Sequence, residues 1–124
     1  MINDLEEDKR LIKVLEQLEQ DGYVLCCATN SVRHSATIQL TRRGFIDHLE
    51  FIFTNQDVVN PKPNTEIYLR CMIKAGVSPK ETIILEDSEL GRKGARATGS
   101  PVLEIKDSAD VTYRKIRKFI ENVK

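Results

Sequence analysis

The fold of this chain is decided by the stretch YVLCCA at residues 23–28, an unbroken apolar run bounded by Gly22 and Asn30. The run is too short for a helix, so it predicts a strand that is buried on both faces. The preceding residues 5–20 place apolar side chains at helical spacing, and Gly22 stands where a left-handed helix cap belongs. Because such strands occur mainly in parallel sheets covered by helices, we expect helices and strands to alternate along the chain.

The rest of the sequence continues this alternation. The predicted elements are a helix over residues 31–43, a strand over 49–54, a helix containing Ile67 and Cys71 and ended by Gly76, a strand over 82–86, a short helix ending near Gly99, a strand over 101–105 and a final helix containing Ile116 and Ile120. The pattern predicts a doubly wound, Rossmann-like α/β domain of three layers with a mainly parallel sheet of about four strands.

The overall composition describes a small domain without a charge bias. The 124 residues include 19 basic and 19 acidic side chains, so the formal net charge is zero. This balance argues against a nucleic-acid partner or an anionic membrane partner. With three cysteines and no apolar run of about 18 residues, the sequence indicates neither a disulfide framework nor a membrane span, and we expect a cytoplasmic protein.

Polar residues directly follow the first strand. In parallel sheets ligands bind beyond the carboxyl ends of the strands, so Thr29, Asn30 and Ser31 are candidate ligand contacts. The Thr29 hydroxyl and the N–H groups of the following helical turn would make an anion cradle. The alternative is that Ser31 only caps the helix and Thr29 only ends the strand.

The second strand is followed by Lys62, which stands between Pro61 and Pro63. Two prolines stiffen the backbone on either side of the lysine, so its ammonium could be offered to a phosphoryl oxygen at a small entropic cost. The alternative is a solvated loop lysine.

The third strand ends in the adjacent carboxylates Glu86 and Asp87, followed by Ser88. Hard oxygen ligands of this kind suit Mg²⁺, which typically binds one or two carboxylates together with water and phosphate oxygens. The alternative is an acidic turn in which Asp87 or Ser88 caps the next helix. Together the three strand ends suit a magnesium-complexed phosphoryl group.

These motifs resemble the haloacid dehalogenase (HAD) superfamily of phosphatases and phosphomutases, especially its β-phosphoglucomutase and phosphoglycolate phosphatase branch. The resemblance runs from about Leu11 to Ile105 and is carried by VLCCATNS at residues 24–31, NPKP at residues 60–63 and ILEDS at residues 84–88. The three motifs stand in the order and at the spacing of the family, which makes the resemblance specific.

The resemblance implies a role for each matched residue. Thr29 would hydrogen-bond the transferring phosphoryl group with help from the Asn30 backbone, and Lys62 would balance charge on the nucleophile and on that group. Asp87 would be the principal Mg²⁺ ligand and Glu86 an accessory one. The implied substrate is a phosphorylated small molecule, and the implied reaction is hydrolysis of a phosphate monoester.

The family's first motif, a hydrophobic strand ending in Asp-x-Asp that supplies the nucleophile and the acid/base group, has no match here. We interpret Asp4 and Asp8 as the polar start of the first helix, where acidic side chains suit the helix dipole. The cap that this branch of the family inserts shortly after the first motif also has no match, and residues 55–60 are too few to hold the alternative cap found in other branches. We therefore expect residues 1–124 to be a single partial HAD-like core without a cap, nearly inactive alone, weak in magnesium affinity and a candidate pseudoenzyme.

In the family the missing strand lies between the strands predicted here at residues 23–28 and 82–86. Three alternatives follow: the two strands close on each other, a separate N-terminal half chain supplies the strand, or two copies form a homodimer through the open edge. The leading hypothesis is a HAD-like phosphatase or phosphomutase core that is active when complemented. The alternatives are a non-catalytic binding or assembly module and a truncated hydrolase reading frame.

Overall fold

The structure is a computed structural model and describes residues 6–123. Helices and strands alternate along this part of the chain, as predicted. The helices and strands are α1 (Lys9–Gln20), β1 (Cys26–Ala28), α2 (Arg33–Arg43), β2 (Phe51–Phe53), α3 (Glu66–Ala75), β3 (Ile84–Glu86), α4 (Glu89–Arg96), β4 (Val102–Glu104) and α5 (Tyr113–Val123). The α/β fold class predicted from the sequence is confirmed.

The chain divides into two compact units, Met1–Asp57 and Val58–Lys124. In the described part of the first unit, β1 pairs in parallel with β2, and Cys26 lies opposite Phe51. In the second unit, β3 pairs in parallel with β4, and Glu86 lies opposite Glu104. The four predicted strands are therefore present as two parallel pairs, each a two-stranded sheet.

The first helix begins at an acidic cap. Asp8 is the N-cap of α1, and its Oδ1 accepts the N–H of Leu11 at 3.0 Å. The guanidinium of Arg43 donates to the other carboxylate oxygen at 2.9 Å. Asp8 therefore begins the helix, as predicted, whereas Asp4 lies outside the described residues.

The prediction of a first strand buried on both faces over residues 23–28 is wrong. The strand is confined to Cys26–Ala28, and Tyr23 and Val24 are 36% and 61% exposed. The physical reason lies in the size of the sheet: a strand in a two-stranded sheet is covered by fewer neighbours than a central strand of a larger one. An apolar run shows that a segment can be buried, but burial also requires neighbouring helices or strands that cover it.

The second unit has a core built from helices and strands together. The buried apolar side chains of this unit are those of Ile67, Tyr68, Cys71, Met72, Ile84, Ala95, Leu103, Val111, Ile116 and Ile120. Gly76 ends α3 in the left-handed conformation, with φ of 72°. Among residues 6–123, no helix combines the length and the apolar character needed to cross a membrane.

Candidate functional site

The buried carboxylate of Glu86 is the centre of the candidate site. Glu86 is the last residue of β3, and its side chain is 8% exposed. Its Oε2 accepts a hydrogen bond from Lys62 Nζ at 2.8 Å and another from the Tyr68 hydroxyl at 2.6 Å. We call Lys62, Tyr68, Glu86 and Gly91 the Glu86 cluster.

The second oxygen of Glu86 is also hydrogen-bonded. Oε1 accepts the backbone N–H of Asp87 at 3.2 Å and the Ser88 hydroxyl at 3.4 Å. Both carboxylate oxygens therefore accept hydrogen bonds, as burial of a charged group requires. The carboxylate is held in one orientation by donors from three different segments of the chain.

Tyr68 reaches the cluster from α3 and is 4% exposed. Its hydroxyl lies between Glu86 Oε2 and the carbonyl oxygen of Gly91, which is 3.0 Å away. The face of the Tyr68 ring is also directed toward Lys62, whose Nζ lies 5.3 Å from the ring centroid. One tyrosine therefore contacts both members of the ion pair.

Lys62 is held in place by its own loop as well as by Glu86. Its side chain is 9% exposed, and its peptide bond to Pro63 is cis. Glu66, in the first turn of α3, accepts the backbone N–H groups of Val59 at 3.0 Å and of Asn60 at 2.9 Å. The loop that precedes Lys62 is therefore anchored to the start of α3. The alternative of a solvated loop lysine does not fit a buried ammonium.

Two glycines of α4 make room for these groups. A Cβ on Gly91 would lie 2.2 Å from Glu86 Cδ, and a Cβ on Gly94 would lie 2.6 Å from the carbonyl oxygen of Pro63. Because these positions are three residues apart, both glycines lie on one face of the helix. That face can approach the Glu86 side chain and the backbone after Lys62 only because it lacks side chains.

The two adjacent acidic residues at the end of β3 differ in their surroundings. Asp87 is exposed, whereas Glu86 is buried. Ser88 is the N-cap of α4, and its hydroxyl oxygen accepts the N–H of Gly91 at 3.0 Å. The alternative that a residue of this turn caps the next helix is therefore correct for Ser88, and Asp87 takes no part in the cap.

The protonation states of the cluster follow from its contacts. Burial opposes ionisation of Glu86, but the hydrogen bonds from Lys62 and Tyr68 outweigh it and hold the pKa of this carboxyl below its ordinary value. Burial, together with the hydrogen bond to Glu86 and its negative charge, raises the pKa of the Tyr68 hydroxyl. At neutral pH Glu86 is therefore a carboxylate and Tyr68 a neutral hydrogen-bond donor.

The end of β1 in the first unit presents a hydroxyl in an exposed loop. The Thr29 N–H donates to the carbonyl oxygen of Phe53 at 3.0 Å, which extends the β1–β2 ladder by one bond. Thr29 Oγ1 accepts the N–H of Ser31 at 3.1 Å, and Asn30 is exposed. The hydroxyl oxygen is therefore an acceptor within its own turn, while its proton remains available for donation.

The prediction that Ser31 caps α2 is wrong. Val32, whose side chain has no hydrogen-bonding atom, holds the N-cap position. The N–H of Arg33 is taken up by Gln56 Oε1 at 2.7 Å, and the guanidinium of Arg33 pairs with Asp57. Sequence spacing favours a local cap, but a side chain from the loop after β2 provides the acceptor instead.

Of the residues selected from the sequence, the structure brings together Lys62, Glu86 and the adjacent Asp87. Thr29 and Asn30 belong to the other compact unit. The role of Tyr68 as a hydrogen-bond donor in the cluster was missed. The sequence contained an indication of this role, because Tyr68 lies three residues before Cys71, on the same apolar face of the helix. A buried hydroxyl on that face requires a hydrogen-bonding partner.

A family model for haloacid dehalogenase-like hydrolases matches residues 3–105. The chain belongs to this family. Its relatives include an uncharacterised protein of Lacticaseibacillus casei, 36% identical over 75% of this chain and 42% of that protein. Another is a phosphorylated carbohydrates phosphatase of Thermotoga maritima, 27% identical over 77% of this chain and 44% of that protein. The chain thus spans less than half the length of these two relatives.

A solved structure supports the same fold. The crystal structure of a putative β-phosphoglucomutase from Thermotoga maritima superposes with a TM-score of 0.78, covering 96% of this chain and 62% of that one. The sequence identity of the pair is 22%, so the likeness concerns the fold. The resemblance to a HAD-like fold drawn from the three motifs is confirmed.

The family implies a magnesium ion, and the carboxylates at the end of β3 are the groups that would hold it. Within residues 6–123, no group of three or more histidine, cysteine, aspartate or glutamate side chains is arranged as a metal site. Asp87 offers an exposed carboxylate at the end of β3, and Glu86 stands next to it. The exposed Asp87 carboxylate fits an ion that takes one or two carboxylates and completes its shell with water and phosphate oxygens, whereas both oxygens of Glu86 already accept hydrogen bonds.

Proposed function

We propose that this chain provides the phosphoryl-binding and magnesium-binding part of a HAD-like phosphatase that hydrolyses phosphate monoesters. The observation that carries the proposal is the ammonium of Lys62, held 2.8 Å from the buried Glu86 at the end of β3, beside the exposed Asp87. A cation held in this way is preorganised for an anionic group and needs little reorganisation when that group arrives.

In this proposal each residue has one task. Lys62 attracts the phosphoryl oxygens and stabilises the negative charge that they carry during transfer. Asp87 would hold magnesium, and Glu86, the accessory carboxylate, would act through the Lys62 ammonium that it holds. When bound, magnesium supplies positive charge to the phosphoryl oxygens and to the leaving group. In the first unit, the hydroxyl proton of Thr29 and the backbone of Asn30 would donate hydrogen bonds to a phosphoryl group.

The proposed reaction also needs an attacking group. Lys62 and Thr29 are binding groups here, Glu86 is enclosed by donors, and Asp87 is assigned to the metal. We therefore propose that the chain works together with an N-terminal half polypeptide that carries a nucleophilic aspartate. The chain measured alone should be nearly inactive toward phosphate monoesters.

The test is a phosphatase assay with magnesium and a general phosphate monoester, on the chain alone and mixed with the N-terminal half. Activity should require the mixture and should be lost in Lys62→Ala and in Asp87→Asn. Lys80→Ala, which removes an exposed lysine of the same unit, is the matched control and should keep full activity. Background activity in every mixture, or full activity in Lys62→Ala, would contradict the proposal.

A second candidate is a binding or assembly module, and one observation favours it. Tyr23 and Val24, which directly precede β1, expose apolar surface that a partner could cover. Light scattering of the chain, alone and with the N-terminal half, separates the possibilities. Assembly of the chain with itself or with the N-terminal half, without phosphatase activity, would favour the module. A chain that stays monomeric in both measurements would exclude it.

A further inference from the structure

We propose that Tyr68 is a positioning residue for Lys62, holding the ion pair of Lys62 and Glu86 in the one arrangement that presents the ammonium to a phosphoryl group. The inference rests on the proposed function for the nature of the ligand. Its structural basis is independent of that ligand, because it lies entirely in the contacts of the Glu86 cluster.

One carboxylate oxygen of Glu86 joins Lys62 and Tyr68. Glu86 Oε2 accepts both the Lys62 ammonium at 2.8 Å and the Tyr68 hydroxyl at 2.6 Å. A carboxylate attached by a flexible side chain can rotate, and its rotation would carry the ammonium with it. The Tyr68 hydroxyl opposes that rotation, because it donates a charge-assisted hydrogen bond from the buried face of α3.

The Tyr68 hydroxyl also contacts α4. Its oxygen lies 3.0 Å from the carbonyl oxygen of Gly91, inside the buried cluster. Gly91 also provides the space that the Glu86 carboxyl fills, since a Cβ there would overlap its Cδ at 2.2 Å. Tyr68 and Gly91 thus limit the movement of Glu86 from two sides.

Tyr68 makes two different contacts with the ion pair. The ring lies 5.3 Å from Lys62 Nζ, and the hydroxyl acts on Lys62 through Glu86. Tyr68→Phe keeps the ring and its packing but removes the hydroxyl. Glu86 Oε2 then loses a donor in a buried place, and the Gly91 carbonyl loses its share of the same proton. Any change in the behaviour of Lys62 in this variant reports on the hydroxyl.

Both carboxylate oxygens of Glu86 are already hydrogen-bonded. Its Oε1 is occupied by the Asp87 N–H and the Ser88 hydroxyl, and its Oε2 by Lys62 and Tyr68. Because both of its oxygens accept hydrogen bonds, Glu86 acts by holding the Lys62 ammonium. The exposed Asp87 is the carboxylate that would bind magnesium. The accessory role of Glu86 is therefore exerted through Lys62, and Tyr68 makes that role possible.

The experiment uses two readouts on the full chain, in the wild type and in Tyr68→Phe. The first is the ¹⁵N-edited NMR signal of the Lys62 ammonium, assigned by its loss in Lys62→Arg. The second is the affinity for inorganic phosphate in the presence of magnesium, measured by calorimetry with the N-terminal half present. We expect the ammonium signal to shift or broaden and the phosphate affinity to fall about tenfold, the scale of one hydrogen bond to a charged group.

Two controls separate positioning from stability. Tyr113→Phe removes the same hydroxyl from a tyrosine of α5, and Ile120→Ala weakens the core of the second unit; both residues lie outside the Glu86 cluster. Both should leave the ammonium signal and the phosphate affinity unchanged, although Ile120→Ala lowers the midpoint of urea unfolding. An ammonium signal that is the same in Tyr68→Phe as in the wild type overturns the inference.

The outcome is distinguishable from failure of the proposed function. A wild-type chain that binds no phosphate, alone or with the N-terminal half, contradicts the proposed function, whatever the ammonium signal shows. Phosphate binding that persists undiminished in Tyr68→Phe leaves the proposed function in place and contradicts the positioning role of Tyr68.

Discussion

Polar residues stand at the ends of both β1 and β3, yet the structure holds them in different ways. At the end of β3, Glu86 is buried and receives donors from Lys62 and Tyr68, which lie in other segments. After β1, Thr29 bonds to its own turn and to the neighbouring strand. A similar sequence pattern can therefore yield a charge fixed by tertiary contacts or a hydroxyl fixed mainly by local ones.

The largest expected effect contrasts the ion pairs of the two units. Lys62→Met leaves Glu86 charged and buried without its cation, and should lower the free energy of unfolding by about 3 kcal/mol. Arg33→Met breaks the pair with Asp57, in which the arginine side chain is 49% exposed, and should cost about 0.5 kcal/mol. Urea unfolding measures both. Equal losses of unfolding free energy in Lys62→Met and Arg33→Met would mean that burial does not distinguish the two ion pairs.

The next effect tests the space that α4 leaves for Glu86. Gly91→Ala places a methyl group 2.2 Å from Glu86 Cδ and should lower the free energy of unfolding by about 2 kcal/mol through overpacking. The improved helix propensity of alanine offsets only part of this cost. Lys93→Ala, at an exposed position of the same helix, is the control and should change the free energy by less than about 0.5 kcal/mol. A stabilised Gly91→Ala variant would mean that Glu86 moves aside at little cost.

A smaller effect is expected at Thr29, because its hydroxyl is held by local contacts. Thr29→Val keeps the shape of the side chain but removes the acceptor of the Ser31 N–H, and should cost about 0.5 kcal/mol in urea unfolding. The proposed role of the hydroxyl predicts a clearly larger loss of phosphate affinity in the mixture with the N-terminal half. Thr41→Val, at an exposed position of α2, serves as the control. Unchanged phosphate affinity in Thr29→Val would argue against that role.

The smallest effect concerns acid. Hydrogen bonds from Arg70 and from the backbone of Asn60 and Val59 lower the pKa of Glu66 from 4.5 to about 2. Because the folded pKa lies below the unfolded one, this contribution is present above about pH 4.5 and is lost as the pH falls toward 2. Urea unfolding between pH 5 and 2 should therefore show a shallower loss of stability in Glu66→Gln than in the wild type. Parallel curves would rule out a role for Glu66 in acid stability.

Much of the fold could be predicted because its signals are local. The glycines that end α2 and α3, Gly44 and Gly76, adopt positive φ of 84° and 72°, as their positions in the sequence indicated. The extents of the strands could not be predicted, because a strand ends where its partner ends. β3 covers Ile84–Glu86, although residues 82–86 had the pattern of a strand.

The candidate site shows the same division. The sequence by itself determined the alternation of helices and strands, the polar residues at the strand ends, and the choice of Lys62, Glu86 and Asp87, because these follow from residue type and short-range spacing. Only the tertiary structure decided that Glu86 is enclosed, that Tyr68 donates to it and that Gly91 makes room for it. The physical reason is distance along the chain: Lys62 and Glu86 are 24 residues apart, and packing of α3 and α4 around β3 brings them within hydrogen-bonding reach.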